Sequence, residues 1–177
     1  MELLIPGLIV VALMVWASTK IKRAAAAAYE SETITIDDFT IVKPEGFIHP
    51  INEDSPFVFE AYTKEFGAEP NENLPKVSAE VRRTVMTVSE VIDESRKSFD
   101  EISDQYNEGQ GFIIEGIRGV YRVREKVIGV QDGALILTVN TLRENVDEYS
   151  REIKMLIESF ETISFNKDRL ATASAKR

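Results

Sequence analysis

Polar and apolar residues change their rhythm several times along this chain. Residues 3–19 carry no charge and include Leu3, Leu4, Ile5, Leu8, Ile9, Val10, Val11, Leu13, Met14, Val15 and Trp16. Such an all-round apolar run predicts a helix, about 25 Å long over its uncharged part at 1.5 Å per residue. Pro6 falls in its first turn, where a missing amide hydrogen costs little. Ala24 to Ala28 are strong helix formers and extend the helix toward Ser31.

Beyond this point the period shortens. Residues 33–36 and 39–43 read as strands broken by Asp37-Asp38, and Pro44-Glu45-Gly46 marks a turn. Residues 57–63 are aromatic and β-branched, a strand, and 77–86 read as another after the Pro- and Asn-rich loop 67–75. Thr87-Val88-Ser89-Glu90 has capping-box spacing, and Val88, Val91, Ile92, Phe99 and Ile102 follow at helical spacing. Together they predict a helix over 88–104, with Asp93–Lys97 and Arg96–Asp100 as i,i+4 pairs. Gly109, Gly111, Gly116 and Gly119 read as turn glycines around the strand Phe112-Ile113-Ile114-Glu115. Residues 120–130 and 134–141 form a hairpin turning at Asp132-Gly133. Asn145 and Glu148 suggest a second capped helix, with Val146, Tyr149, Ile153, Leu156, Ile157 and Phe160 along one face. The expected fold is α+β: an antiparallel sheet packed by two amphipathic helices, preceded by an amino-terminal transmembrane helix.

Charge sharpens the division. The net charge of −9 averages an acidic middle, 30–165, with two basic ends. Lys20, Lys22 and Arg23 follow the apolar run, and Lys167, Arg169, Lys176 and Arg177 lie in the last twelve residues. A cleaved signal peptide carries its positive charge before the apolar run, but here only Glu2 precedes it. The pattern therefore favours an uncleaved, single-pass signal anchor. Leu8, Val11 and Met14 would face lipid, Trp16 would sit at the interface, and Lys20, Lys22 and Arg23 would flank it. The positive-inside rule then places the carboxy-terminal domain in the cytoplasm. The expected domains are an anchor, 1–20, a basic and Ala-rich stalk, 21–32, the α+β domain, 33–165, and a flexible basic tail, 166–177.

The order of elements, with Pro44-Glu45-Gly46-Phe47 after an early strand and a last helix closing on Glu158-Ser159-Phe160, resembles the PsbP-like family. That family of α/β/α sandwiches includes DcrB-like bacterial proteins and a Ran-binding Mog-type protein. The resemblance covers about residues 33–165 and implies a binding or assembly module, not a catalyst. Family members are often secreted or lipid-anchored, whereas this chain reads as anchored with its body inside. No binding residue carries over.

Little chemistry competes with that reading. No cysteine is present, which excludes disulfides and thiolate metal sites, and one histidine leaves little room for a relay. His49, between Phe47-Ile48 and Pro50, reads as a loop histidine satisfied by backbone or solvent. The acid pairs Asp37-Asp38, Glu53-Asp54, Glu69 with Glu72, and Asp100-Glu101 match no calcium loop and read as solvated. The glycine spacing fits no dinucleotide loop, no serine sits in a nucleophile elbow, and no cofactor is implied. An acidic body also argues against nucleic acid. Arg122, Arg124 and Lys126 share one face of a strand by period 2. They either dock an acidic partner or pair with acids across strands. The function expected is a membrane-anchored, non-catalytic module that binds lipid through residues 3–19 and recruits a protein partner. The alternatives are a tethered hydrolase using carboxylates or a serine, and a passive subunit of a membrane complex.

Overall fold

The first helix, α1 (Leu4–Ala27), forms where the apolar and alanine runs predict it. The computed structural model describes residues 4–36, 38–50 and 54–163, with only the backbone at 4–10, 12, 21 and 23–25. Leu8 and Arg23 are therefore placed on α1 without their side chains, and the tail 166–177 lies outside the described residues. Val11, Leu13, Met14, Val15 and Trp16 are 58–67% exposed, so positions around the helix are left uncovered by the described residues. Lys22 is exposed too, and the Lys20 ammonium lies 4.5 Å from the centre of the Trp16 ring. The expected anchor needs a correction. Among the described residues no helix is long and apolar enough to cross a membrane. From Val11 onward the apolar run ends at Trp16, before Ser18, Thr19 and Lys20.

Two antiparallel sheets follow. β1 (Glu32–Ile36), β2 (Phe39–Lys43) and the short β10 (Glu161–Thr162) make a three-stranded sheet in the order β1-β2-β10. The larger sheet has seven strands in the order β3-β4-β5-β9-β8-β7-β6. These are β3 (Phe47–Ile48), β4 (Phe59–Thr63), β5 (Val77–Thr84), β6 (Glu101–Glu108), β7 (Gly111–Arg118), β8 (Tyr121–Val130) and β9 (Gly133–Leu142). Alternation decides the faces. On β9, Leu135, Leu137 and Val139 join the main core with Phe39, Ile41, Ile153, Leu156 and Phe160. Ala134 and Ile136 face the other way and pack against Val91 of α2 (Val88–Ser98). The layers are therefore α2, the large sheet, and then α3 (Ser150–Ser159) beside the small sheet. Mixed α+β architecture with antiparallel sheets is as expected.

Several boundaries move. The capping box at Thr87 and Glu90 is present, but α2 stops at Ser98 instead of 104. Residues 101–108, read as the end of a helix, pair with β7 as the edge strand β6. Arg96 consequently bonds Asp93 and Gln105, and Asp100 accepts the Gly119 amide, so neither expected i,i+4 pair forms. The last helix begins at Ser150, not at an Asn145 cap: Arg143–Asn145 is a 3₁₀ turn, and the Asn145 amide bonds the Glu148 carboxylate. Val130 pairs with Gly133, which puts Gln131 and Asp132 in the hairpin turn one residue earlier than expected.

The junction between α1 and the body is closed by Lys43. β2 alternates buried and half-buried positions, and Lys43 falls in phase with buried Phe39 and Ile41. Its side chain is 2% exposed, and its ammonium donates to the carbonyls of Ala28 (2.9 Å), Glu30 (2.6 Å) and Phe47 (3.2 Å). Chain beyond the end of a helix leaves carbonyls without partners, and a cation satisfies them. Gly46, at φ +83°, donates its amide to Tyr29 (2.8 Å) from a conformation that favours glycine.

Candidate functional site

The cation stripe does share one face of β8, on the α3 side of the sheet. Glu115, opposite Arg124 on β7, accepts Arg124 at 2.9 Å and 3.0 Å and Tyr106 at 2.8 Å, with Arg122 at 3.8 Å. Burial and the Glu115 carboxylate push the Tyr106 hydroxyl up to about 12. Lys126 is buried and donates to the carbonyl of Ile157 (2.7 Å) near the end of α3, where positive charge is favoured. Burial nonetheless pulls its pKa down, against the opposing pull of Glu108, Glu161 and Glu158. The three cations thus meet one acid and one helix terminus of their own chain.

The acid pairs stay apart. Asp38 pairs with Arg83, Asp100 holds the Gly119 amide, and Glu69, Glu72 and Glu101 are exposed. Asp37 and Glu53 lie outside the described residues. His49 stacks on Phe59 at 5.0 Å and its Nδ1 meets the Glu60 carbonyl (2.6 Å), the satisfied loop histidine expected. Among the described residues no group of three or more metal-ligating side chains gathers.

A different set of carboxylates converges, and pattern reading had passed over it. On the α2 face, strand register aligns Glu60 with Glu80, Glu80 with Thr138, and Thr138 with Glu125. Three acids therefore stand in one row across β4, β5 and β8. The helix covers the neighbouring apolar rows through Val91 and leaves Glu80, Thr138 and Glu125 of this row as the floor of a trough of about 370 Å³, with Glu60 next to Glu80 beyond it. Ser95 and Glu94 of α2 form one wall and Phe57 another, with Arg82 and Arg118 at the sides. Arg118 donates to Glu125 Oε1 (2.9 Å) and to Ser98 Oγ (2.6 Å), and stacks 4.7 Å over Phe99. Thr138 adds a longer bond to the same Oε1 (3.4 Å). Glu125 is only 4% exposed, yet its other oxygen, Oε2, has no hydrogen-bond partner among the described residues.

Burial first, and then the neighbouring Glu60 carboxylate, raise the Glu80 pKa, with Arg118 opposing. An acid whose folded pKa is raised stabilises the fold less as pH climbs from its unfolded value through the folded one. Glu80→Gln removes that loss. We expect the variant to be more stable at pH 7 by about 0.5–1 kcal/mol, the scale of like charges directly opposite on a sheet. Thermal melts check this: the gain should vanish near pH 4 and be full at pH 7. Equal Tm values at both would show that the acid row carries no strain.

The sequence pattern singles out the cation stripe, His49 and the acid pairs, and not this row. Glu60, Glu80 and Glu125 each look like a polar position on an alternating strand. The signal that unites them is the cross-strand register, which no local window contains. No protein-family model matches the chain and no curated protein matches it. Among solved structures, the chain is similar to the crystal structure of LpqN, involved in cell envelope biogenesis of Mycobacterium tuberculosis. The identity is 12% and the TM-score 0.49, covering 75% of this chain and 90% of that one. It is also similar to the solution structure of cyanobacterial PsbP (CyanoP) from Synechocystis sp. PCC 6803. There the identity is 11% and the TM-score 0.46, covering 75% of this chain and 91% of that one. At such identities the likeness is one of fold alone.

Proposed function

We propose that this protein is a non-catalytic binding or assembly module held at a lipid bilayer by α1, with its carboxy-terminal body on the cytoplasmic side. The observation that carries the reading is α1 itself. Its Val11, Leu13, Met14, Val15 and Trp16 side chains are exposed, while the chain just after its other end is bonded into the body through Lys43 and Gly46. An uncovered apolar helix of this kind is costly in water and favourable in lipid. Among the described residues α1 is not long and apolar enough to cross, so its exposed apolar side chains are read as embedded in the near leaflet of the bilayer without spanning it. Lys20, Lys22 and Arg23 follow it, where basic residues meet an anionic inner leaflet. The trough on the opposite side of the sheet from α3 gives the body a place to hold a partner.

Alkaline extraction of membranes tests the attachment. The full chain should stay in the membrane pellet, and Val11→Lys with Met14→Lys should shift most of it to the supernatant. Charges at the centre of a buried helix cost about 2.5–3.5 kcal/mol each. A full chain that leaves the membrane without detergent would sink the reading. Reporters fused after Arg177, one active only in the cytoplasm and one only outside it, test the orientation.

A further inference from the structure

We infer that the trough between α2 and the large sheet is a recognition site for one cationic side chain, a lysine or arginine, presented by a protein partner. The inference names the ligand class of the binding module proposed above and rests on that reading for the trough's role. Three features converge. First, Glu125 Oε2 is buried in the trough and has no hydrogen-bond partner among the described residues. An ionised carboxylate only accepts hydrogen bonds, so the group that completes it must be a donor. Secondly, the neighbouring Glu80 and Glu60 make the surroundings repel an anion and favour a cation. The raised Glu80 pKa is a sign of the same crowding. Arg82 and Arg118 offset the acids only in part: Arg118 is engaged by Glu125 Oε1 and Ser98, and Glu80, Glu94 and Glu125 in the lining, with Glu60 beside Glu80, outnumber the two cations. Thirdly, the half-buried Phe57 on the wall gives an aliphatic stem something to lie along while its charged head reaches the floor. That combination, an aromatic wall above a carboxylate row, suits a lysine or arginine better than a compact metal ion, for which the described residues hold no ligand cluster.

The test uses the full chain in detergent micelles, with backbone amide shifts near Glu125, Thr138 and Ser95 as the readout. The probes are Nα-acetyl-lysine amide, Nα-acetyl-arginine amide, the uncharged Nα-acetyl-norleucine amide, and free cadaverine. One of the cationic amides should bind with a Kd in the millimolar range or tighter, about what a single side chain supplies. The norleucine amide should produce no shifts. Glu125→Gln and Glu80→Gln should each weaken binding by about tenfold, and Glu152→Gln, on α3, should leave it unchanged. Glu80→Gln serves as the second variant because it relieves repulsion and is expected to fold. Equal binding of the norleucine amide, no shifts with either cationic amide at about 20 mM, or full affinity in both trough variants would overturn the assignment. So would tighter binding of cadaverine than of the lysine amide, which would point to a free amine. Membrane extraction reads α1 alone, so failure here and failure of the anchoring reading are separate results.

Discussion

Replacing Lys43 by methionine is expected to destabilise the body by about 3 kcal/mol and to lower Tm by roughly 10 °C. The side chain is 2% exposed and its ammonium holds three backbone carbonyls, two of them in the chain that leaves α1. Methionine fills nearly the same volume, so the loss isolates the polar contacts from packing. Three carbonyls, one buried and two part-buried, would then lose their donor, and hydrogen bonds to charged groups are the costly ones to remove. Chemical unfolding of the variant checks the magnitude. A second readout checks the location: residues 28–31 should become several-fold more sensitive to limited proteolysis, because Lys43 ties that segment to β2 and β3. A stability loss with unchanged cleavage would mean that the junction is held elsewhere, for instance by the Gly46–Tyr29 bond.

Lys43 also shows where pattern reading succeeds and where it stops. Its strand was legible, because Phe39, Ile41 and Lys43 alternate with Thr40 and Val42. The same alternation places a lysine inside, yet only the carbonyls delivered from residues 28, 30 and 47 make that burial tolerable. Local signals worked wherever neighbours in sequence were also neighbours in space. The Thr87–Glu90 capping box, the 120–141 hairpin and the apolar face of α3 all meet that condition. They failed on β6. Its residues alternate between exposed and half-buried without one fully buried apolar position, as suits the edge of a sheet. The trough was hidden for a related reason. Glu60, Glu80 and Glu125 are separated by 20 and 45 positions in the chain and meet only through the pairings β4–β5–β9–β8. The cation stripe was visible because period 2 on one strand shows it, but its engagement by Glu115 and the end of α3 was not.

Gly116→Val should be the most damaging single change in the α2 layer, at about 3–5 kcal/mol, and it should disable the trough as well. A Cβ at this position would overlap the Glu101 carbonyl and come within 2.7 Å of the Phe99 ring. The absence of a side chain there is what lets Phe99 lie on the sheet with Ile114 and Val123. It also explains why the helix ends at Ser98 although Phe99 and Ile102 keep a helical spacing. Asp100 donates its amide to the Ile117 carbonyl, and Ile102 pairs directly with Gly116, so the chain turns onto the edge of β7 at once. The irregularity between Ile102 and Asp104 falls in the same place. Adding an isopropyl group pushes Phe99 outward. Arg118 stacks on that ring and bonds Ser98, so the displacement reaches its bond to Glu125. The expected result is a large drop in Tm together with loss of the cationic-probe shifts, whereas Glu80→Gln weakens probe binding without lowering Tm. If Gly116→Val lowered stability but left probe affinity intact, the trough would be independent of the end of α2, and the role given to Arg118 in shaping it would be wrong.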